Sequence, residues 1–150
     1  MNQYFSHLLR VRYSECDAQQ VVFNAKYAEY ADIAITEYMR AIWGGYHKLL
    51  ERGLDSQVVD MHIKWQAPAL FDDVVEIQVQ TKKIGNTSYT FQADFYNYTS
   101  GQALASATLT NVMVTKEAHK KISIPDDIRI TLEKGAPGEV SNHAGVIFKE

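Results

Sequence analysis

The sequence predicts an α+β domain in which one long central helix is wrapped by a five-strand antiparallel sheet. Three observations carry that reading. The only long run of helical period opens at Asn24 and closes at Gly44-Gly45, and its apolar face takes up half the helical wheel. The period then switches from 3.6 to 2 and stays there through four runs between Val59 and Thr115. The turn pairs Gly85-Asn86 and Ser100-Gly101 separate the last of these runs. A helix this widely apolar has to be covered from more than one side, so the sheet must curl around it.

In chain order, residues 8–13 (LLRVRY) alternate after Leu8 and read as a first strand. A polar loop follows and carries Asp17, seven residues before Asn24. Seven extended residues reach roughly 24 Å, so Asp17 meets the helix start only if the loop folds back, and apolar Val21, Val22 and Phe23 give it a reason to tuck in. Asn24 is the expected N-cap. Counting 100° per residue, Tyr27, Tyr30, Ala31, Ala34, Ile35, Tyr38, Ala41 and Ile42 share the apolar half, while Glu29, Asp32, Thr36 and Arg40 take the other. Residues 46–52 form a short second helix stopped at Gly53.

Val59, Met61, Ile63 and Trp65 then alternate with polar partners as a half-buried strand that must end before Pro68. Val75, Ile77 and Val79 mark the next strand, and Tyr89, Phe91, Ala93 and Phe95 the one after. The last runs from about Gln102 to Thr115, with small Ala103, Ala105 and Ala107 giving way to Val112, Met113 and Val114. Residues 126–134 (DDIRITLEK) are a short helix or strand against the sheet. No repeat or linker divides the chain, so residues 1–133 are taken as one domain and 134–150 as a C-terminal tail.

Composition narrows the function. A chain of 150 residues with 46% apolar residues can build a real core. A net charge of −3 gives no basic field for nucleic acid or a membrane surface. One cysteine, Cys16, excludes an internal disulfide framework. With no apolar run of membrane-spanning length and no signal-peptide core in MNQYFSHLLR, the expected location is the cytoplasm. The five histidines have no metal-ligand spacing, so neither a metal nor a cofactor is expected. There is no G-x-S-x-G elbow and no phosphate-cradling glycine loop.

One set of ordered markers spans about residues 8–116: Arg12-Tyr13 leading to Asp17; VVFNAKYAEY at 21–30; Trp65-Gln66-Ala67-Pro68-Ala69 followed by Asp72-Asp73 and Val75; and Gly85-Asn86-Thr87-Ser88. Taken together they resemble the hotdog-fold acyl-CoA thioesterases of the 4-hydroxybenzoyl-CoA thioesterase family. The resemblance implies a dimer with one continuous ten-strand sheet, active sites at the subunit interface, and a homodimer or homotetramer overall. Asp17 matches the family's catalytic carboxylate. Asn24 stands where the helix start presents a backbone N–H to the thioester carbonyl; many relatives have His or Tyr there, and Asn resembles the fatty acyl branch. Val22, Phe23, Ala25 and Tyr27 are the implied substrate-binding residues. The implied substrate is an acyl-CoA, with acyl carrier protein as the alternative carrier.

The chemistry is self-consistent. A thiol of pKa near 8.5 leaves without a strong acid, so thioester hydrolysis needs a nucleophile or base and a stabilised oxyanion. An ionised Asp17 can attack the carbonyl to give a mixed anhydride or orient a water, and the Asn24 and Ala25 N–H groups can polarise the carbonyl. By default, an Asp before a helix is a turn residue and Asn24 a simple cap. Glu15 reads as solvated and Cys16 as an inert thiol. Two other functions share the markers. A hotdog hydratase or dehydratase would want a His that the loop between Asp17 and Asn24 lacks, and a non-catalytic acyl-thioester binding protein would tolerate loss of Asp17.

Overall fold

The computed structural model describes residues 3–149. Its elements are β1 (Phe5–Arg10), a 3₁₀ turn (Tyr13–Glu15), α1 (Lys26–Trp43), α2 (His47–Glu51), β2 (Leu54–Trp65), β3 (Val74–Ile84), β4 (Ser88–Asn97), β5 (Ala103–Thr115), α3 (Asp126–Lys134) and β6 (Val140–Asn142). All six strands form one sheet in the order β2-β5-β4-β3-β1-β6, antiparallel except that β6 runs parallel to β1. The α+β architecture is as expected, with six strands instead of five. The extra strand comes from residues read as a tail, because three residues are too few to show an alternation.

The wide face of α1 is covered as its composition requires. Tyr27, Tyr30, Ala31, Ala34, Ile35, Tyr38 and Met39 are buried, facing Val75, Ile77 and Val79 of β3, Tyr89, Phe91 and Phe95 of β4, and Ala105, Ala107 and Leu109 of β5 in one cluster. Aromatic rings interlock at the centre, with Tyr38 5.6 Å from Phe5 and 5.4 Å from Phe91, and Tyr27 5.5 Å from Phe95. Ala41 is exposed, contrary to the wheel, because the final helical turn runs beyond its cover on that side. Gly44 ends α1 at φ 85°, its N–H bonded to the Arg40 carbonyl.

Two strands depart from their expected form. β1 covers 5–10 rather than 8–13, since Phe5–Leu9 is buried on both faces and shows no alternation: Phe5 and Leu9 face the helix, while Leu8 packs on Val74 and Ala144. β2 is an edge strand, and Val58, Val59, Met61 and Trp65 lie 40–60% exposed where a half-buried face was expected. The β3–β4 turn also has a different cause from the one anticipated. Gly85 does not have a positive φ, so backbone twist does not demand the glycine; a Cβ there would lie 2.9 Å from the rotatable Ser88 hydroxyl and 3.4 Å from the Ser88 carbonyl.

Candidate active site

The loop after β1 folds back as a small hairpin. Cys16 pairs antiparallel with Val22, the Asp17 N–H donates to the Val21 carbonyl at 2.9 Å, and the Phe23 N–H donates to the Glu15 carbonyl at 3.0 Å. Gln20 turns the corner at φ 66°. The segment after Pro68 clamps this hairpin: the Val22 N–H donates to the Ala69 carbonyl at 2.9 Å, and the Tyr27 hydroxyl accepts the Ala69 N–H at 3.3 Å. The Cys16–Val22 bridge therefore ties the turn that carries Asp17 back onto the residues that lead into α1.

Beneath the hairpin is a buried carboxylate. Glu15 is 6% exposed, which corrects its reading as a solvated residue. Its Oε1 accepts the Tyr30 hydroxyl and the Arg12 N–H, both at 2.8 Å, and its Oε2 lies 3.4 Å from Arg12 Nη2. Burial, and then the hydrogen bond to Glu15, raise the Tyr30 hydroxyl well above the ordinary tyrosine value, so it stays a donor.

Asn24 is not the N-cap. The cap position is Ala25, in helical geometry and without a side-chain capping bond. The chain instead enters α1 through tight i→i+3 bonds, in which the N–H groups of Lys26, Tyr27 and Ala28 donate to the carbonyls of Phe23, Asn24 and Ala25 at 2.9–3.3 Å. Asn24 and Ala25 are exposed, and among the described residues their own N–H groups meet no acceptor. They stand at the positive end of an 18-residue helix.

Asp17 is half-buried. Its Oδ1 accepts the Gln19 N–H at 2.8 Å, which is the turn-residue role, and Oδ2 has no partner among the described residues. It borders a cavity of about 480 Å³ with Tyr13, Cys16, Gln20, Leu70 and Phe71. Tyr13 and Phe71 meet edge to face at 5.9 Å while 82% and 55% exposed. Of the residues expected to touch substrate, Phe23 is 45% exposed and Ala25 is open, whereas Val22 at 4% and Tyr27 at 2% belong to the core. Tyr13, Gln20, Leu70 and Phe71 had not been named as site residues, though Tyr13 stood among the sequence markers. For Leu70 and Phe71 the signal was two large apolar side chains at the head of the loop LFDD (70–73), which stay 49% and 55% exposed.

Among the described residues, no three of His, Cys, Asp and Glu gather as a metal set, and no helix is long and apolar enough to cross a membrane.

The chain matches the sequence profile of the Thioesterase-like superfamily over residues 11–132. It is 32% identical over 89 residues to the acyl-CoA thioester hydrolase YbgC of Escherichia coli, covering 59% of this chain and 66% of that protein. It is 26% identical over 126 residues to the acyl-CoA thioesterase YbgC of Haemophilus influenzae, covering 83% and 91%. Among solved structures it is similar to a hypothetical protein from Aquifex aeolicus, with a TM-score of 0.79 and 26% identity over 85% of this chain and 98% of that one.

Proposed function

The chain belongs to the Thioesterase-like superfamily, and from that premise we propose that it hydrolyses acyl-CoA thioesters to a free carboxylic acid and CoA. The observation that carries this is a carboxylate with one oxygen unpartnered among the described residues, held over an apolar-walled cavity on a folded hairpin that leads into a helix start whose Asn24 and Ala25 N–H groups meet no acceptor there. Thioester hydrolysis uses both parts. Asp17 Oδ2 attacks the carbonyl carbon and expels the CoA thiolate, leaving an anhydride that water opens, or it takes a proton from a water that attacks in its place. In either route the negative charge grows on the carbonyl oxygen, where the Asn24 and Ala25 N–H groups and the helix dipole stabilise it without reorganising. The names of relatives such as YbgC support the acyl-CoA class of substrate; acyl carrier protein presents the same thioester and is the alternative carrier.

The working form is a homo-oligomer built on a dimer across β2. Twelve residues of sheet edge with Val58, Val59, Met61 and Trp65 uncovered are what a second copy would close.

The test is thiol release over short, long and aromatic acyl-CoAs with Asp17→Asn, which keeps the shape and removes the charge. The turnover constant should fall roughly 10²- to 10⁴-fold, with folding intact. Asn24→Ala should stay close to wild type in rate and in stability, since the proposed contribution is the backbone N–H and no side-chain cap is lost. Near-normal turnover by Asp17→Asn returns the carboxylate to its role as a turn residue.

A further inference from the structure

A second cavity, of about 460 Å³, opens between β1, the β6 segment and α1; His7, Arg10, Arg12, Glu15, Tyr30 and His143 lie on its wall. It shares no lining residue with the Asp17 cavity, and it lies by β1, four strands across the sheet from β2. A space of that size falls within the ordinary range of small-ligand pockets.

Its donors and acceptors do not balance. The acceptor on the wall, Glu15, is already occupied by the Arg12 N–H, the Arg12 guanidinium and the Tyr30 hydroxyl. The donors are not. Arg12 carries five N–H donors on a side chain 75% exposed, and among the described residues its guanidinium has only the long contact to Glu15. His7 is completely buried. Its Nδ1 pairs with Ser141 Oγ at 3.2 Å, and its Nε2 has no partner among the described residues. Buried polar atoms are nearly always bonded, so an orphan beside a cavity calls for a missing partner. When Nδ1 accepts the Ser141 hydroxyl proton, the ring proton of a neutral imidazole sits on Nε2 as a donor. Burial first, and then the neighbouring His143, lower the His7 pKa to about 4, so the ring is neutral at pH 7. Of the two arginines on the wall, Arg10 is tied to the Ala144 and Asp72 carbonyls and to the Asp72 carboxylate, which leaves Arg12 as the charged donor with spare capacity. The other charged groups nearby are already paired: Glu37 with Arg40 at 3.1 Å and with His143 at 3.9 Å, and Asp72 with Arg10 at 3.7 Å.

We propose that this cavity binds a small oxyanion, a carboxylate or a phosphate, between the Arg12 guanidinium and His7 Nε2, as a site separate from the Asp17 cavity. An oxyanion supplies the acceptors that the Arg12 guanidinium and His7 Nε2 lack. The His143 ring, 4.6 Å from that of His7 and edge-on to it, flanks the approach.

The test needs no turnover, so it stands whether or not the chain cleaves thioesters. Sodium benzoate and sodium phosphate are titrated separately into the full chain at pH 7, and the histidine ring nitrogens are followed by ¹H–¹⁵N correlation, with His7→Gln assigning the resonance. The expected result is a saturable shift of His7 Nε2 with one or both anions, at least tenfold weaker in folded Arg12→Gln and retained in Asp17→Asn. A response to benzoate alone identifies a carboxylate site, one to phosphate alone a phosphoryl site, and one to both a general oxyanion site. The proposal is overturned if neither anion moves His7 at 50 mM in the folded protein. It is equally overturned if the shift is unchanged in Arg12→Gln, or if Asp17→Asn abolishes it.

Discussion

Glu15 is the residue whose role differs most from its appearance in the sequence. It sits two positions before Asp17, and its side chain ties the hairpin to α1 through Tyr30 and to the end of the strand segment through Arg12. Glu15→Ala strands the buried Tyr30 hydroxyl and the Arg12 N–H, a cost of about 1–3 kcal/mol in stability. Displacing a carboxylate by a fraction of an ångström is also expensive in rate, so kcat should fall about 10- to 100-fold with KM little changed. Glu15→Gln keeps a carbonyl oxygen for both donors, and the exposed Arg12 guanidinium can swing clear of the new amide, so it should retain activity within a few fold. Equal damage from Gln and Ala in a steady-state comparison would mean that the charge itself is used, and Glu15 would no longer be a positioning residue.

At the scale of elements, the junction of β1 with β6 is the part most sensitive to acid. The Ser6 N–H donates to the Glu139 carbonyl at 3.0 Å, the His143 N–H to the Leu8 carbonyl at 2.8 Å, and Arg10 Nε to the Ala144 carbonyl at 3.2 Å. His7 lies in the middle with Ser141, facing His143 and, beyond it, Glu37. Burial lowers its pKa to about 4 in the folded chain, from the 6.5 of an ordinary histidine. Between those values the unfolded chain binds the proton and the folded chain does not, so stability rises with pH in that window and is lost as pH falls through it. The full shift amounts to about 3 kcal/mol. Urea unfolding at pH 7 and pH 4 should show wild type losing about that much more than His7→Gln; parallel losses in the two proteins would show that the imidazole is not held neutral.

At the scale of the whole molecule, the single chain leaves its longest edge open. β2 presents twelve residues with unpaired backbone on one side and four large apolar side chains uncovered, whereas the opposite edge ends in the three-residue β6. Sedimentation at micromolar concentration should give at least twice the chain mass of 17.0 kDa, about 34 kDa. Met61→Asp should shift it toward 17.0 kDa by placing a charge in the proposed seam. A wild-type chain that sediments as a monomer at that concentration rules out the dimer.

The span and wide face of α1, the strand phases of β3 and β4, and the need for the Asp17 loop to fold back were all legible in the sequence. Each is a periodicity or chain-length constraint, written in neighbouring residues and enforced by burial of apolar area, which does not depend on the identity of the partner. What only the tertiary structure decided concerns polar groups. Glu15 is buried because Tyr30, fifteen residues on, meets it, and His7 is buried beside Ser141, 134 residues away. Whether a carboxylate or an imidazole can leave water depends on such distant donors and acceptors, and no local pattern encodes them. Asn24 shows the same limit from the other side: its type fits a cap, but the tight entry into α1 puts Ala25 at that position. The short β6 likewise exists because β1 offered it an edge, and not because Val140–Asn142 has a strand pattern of its own.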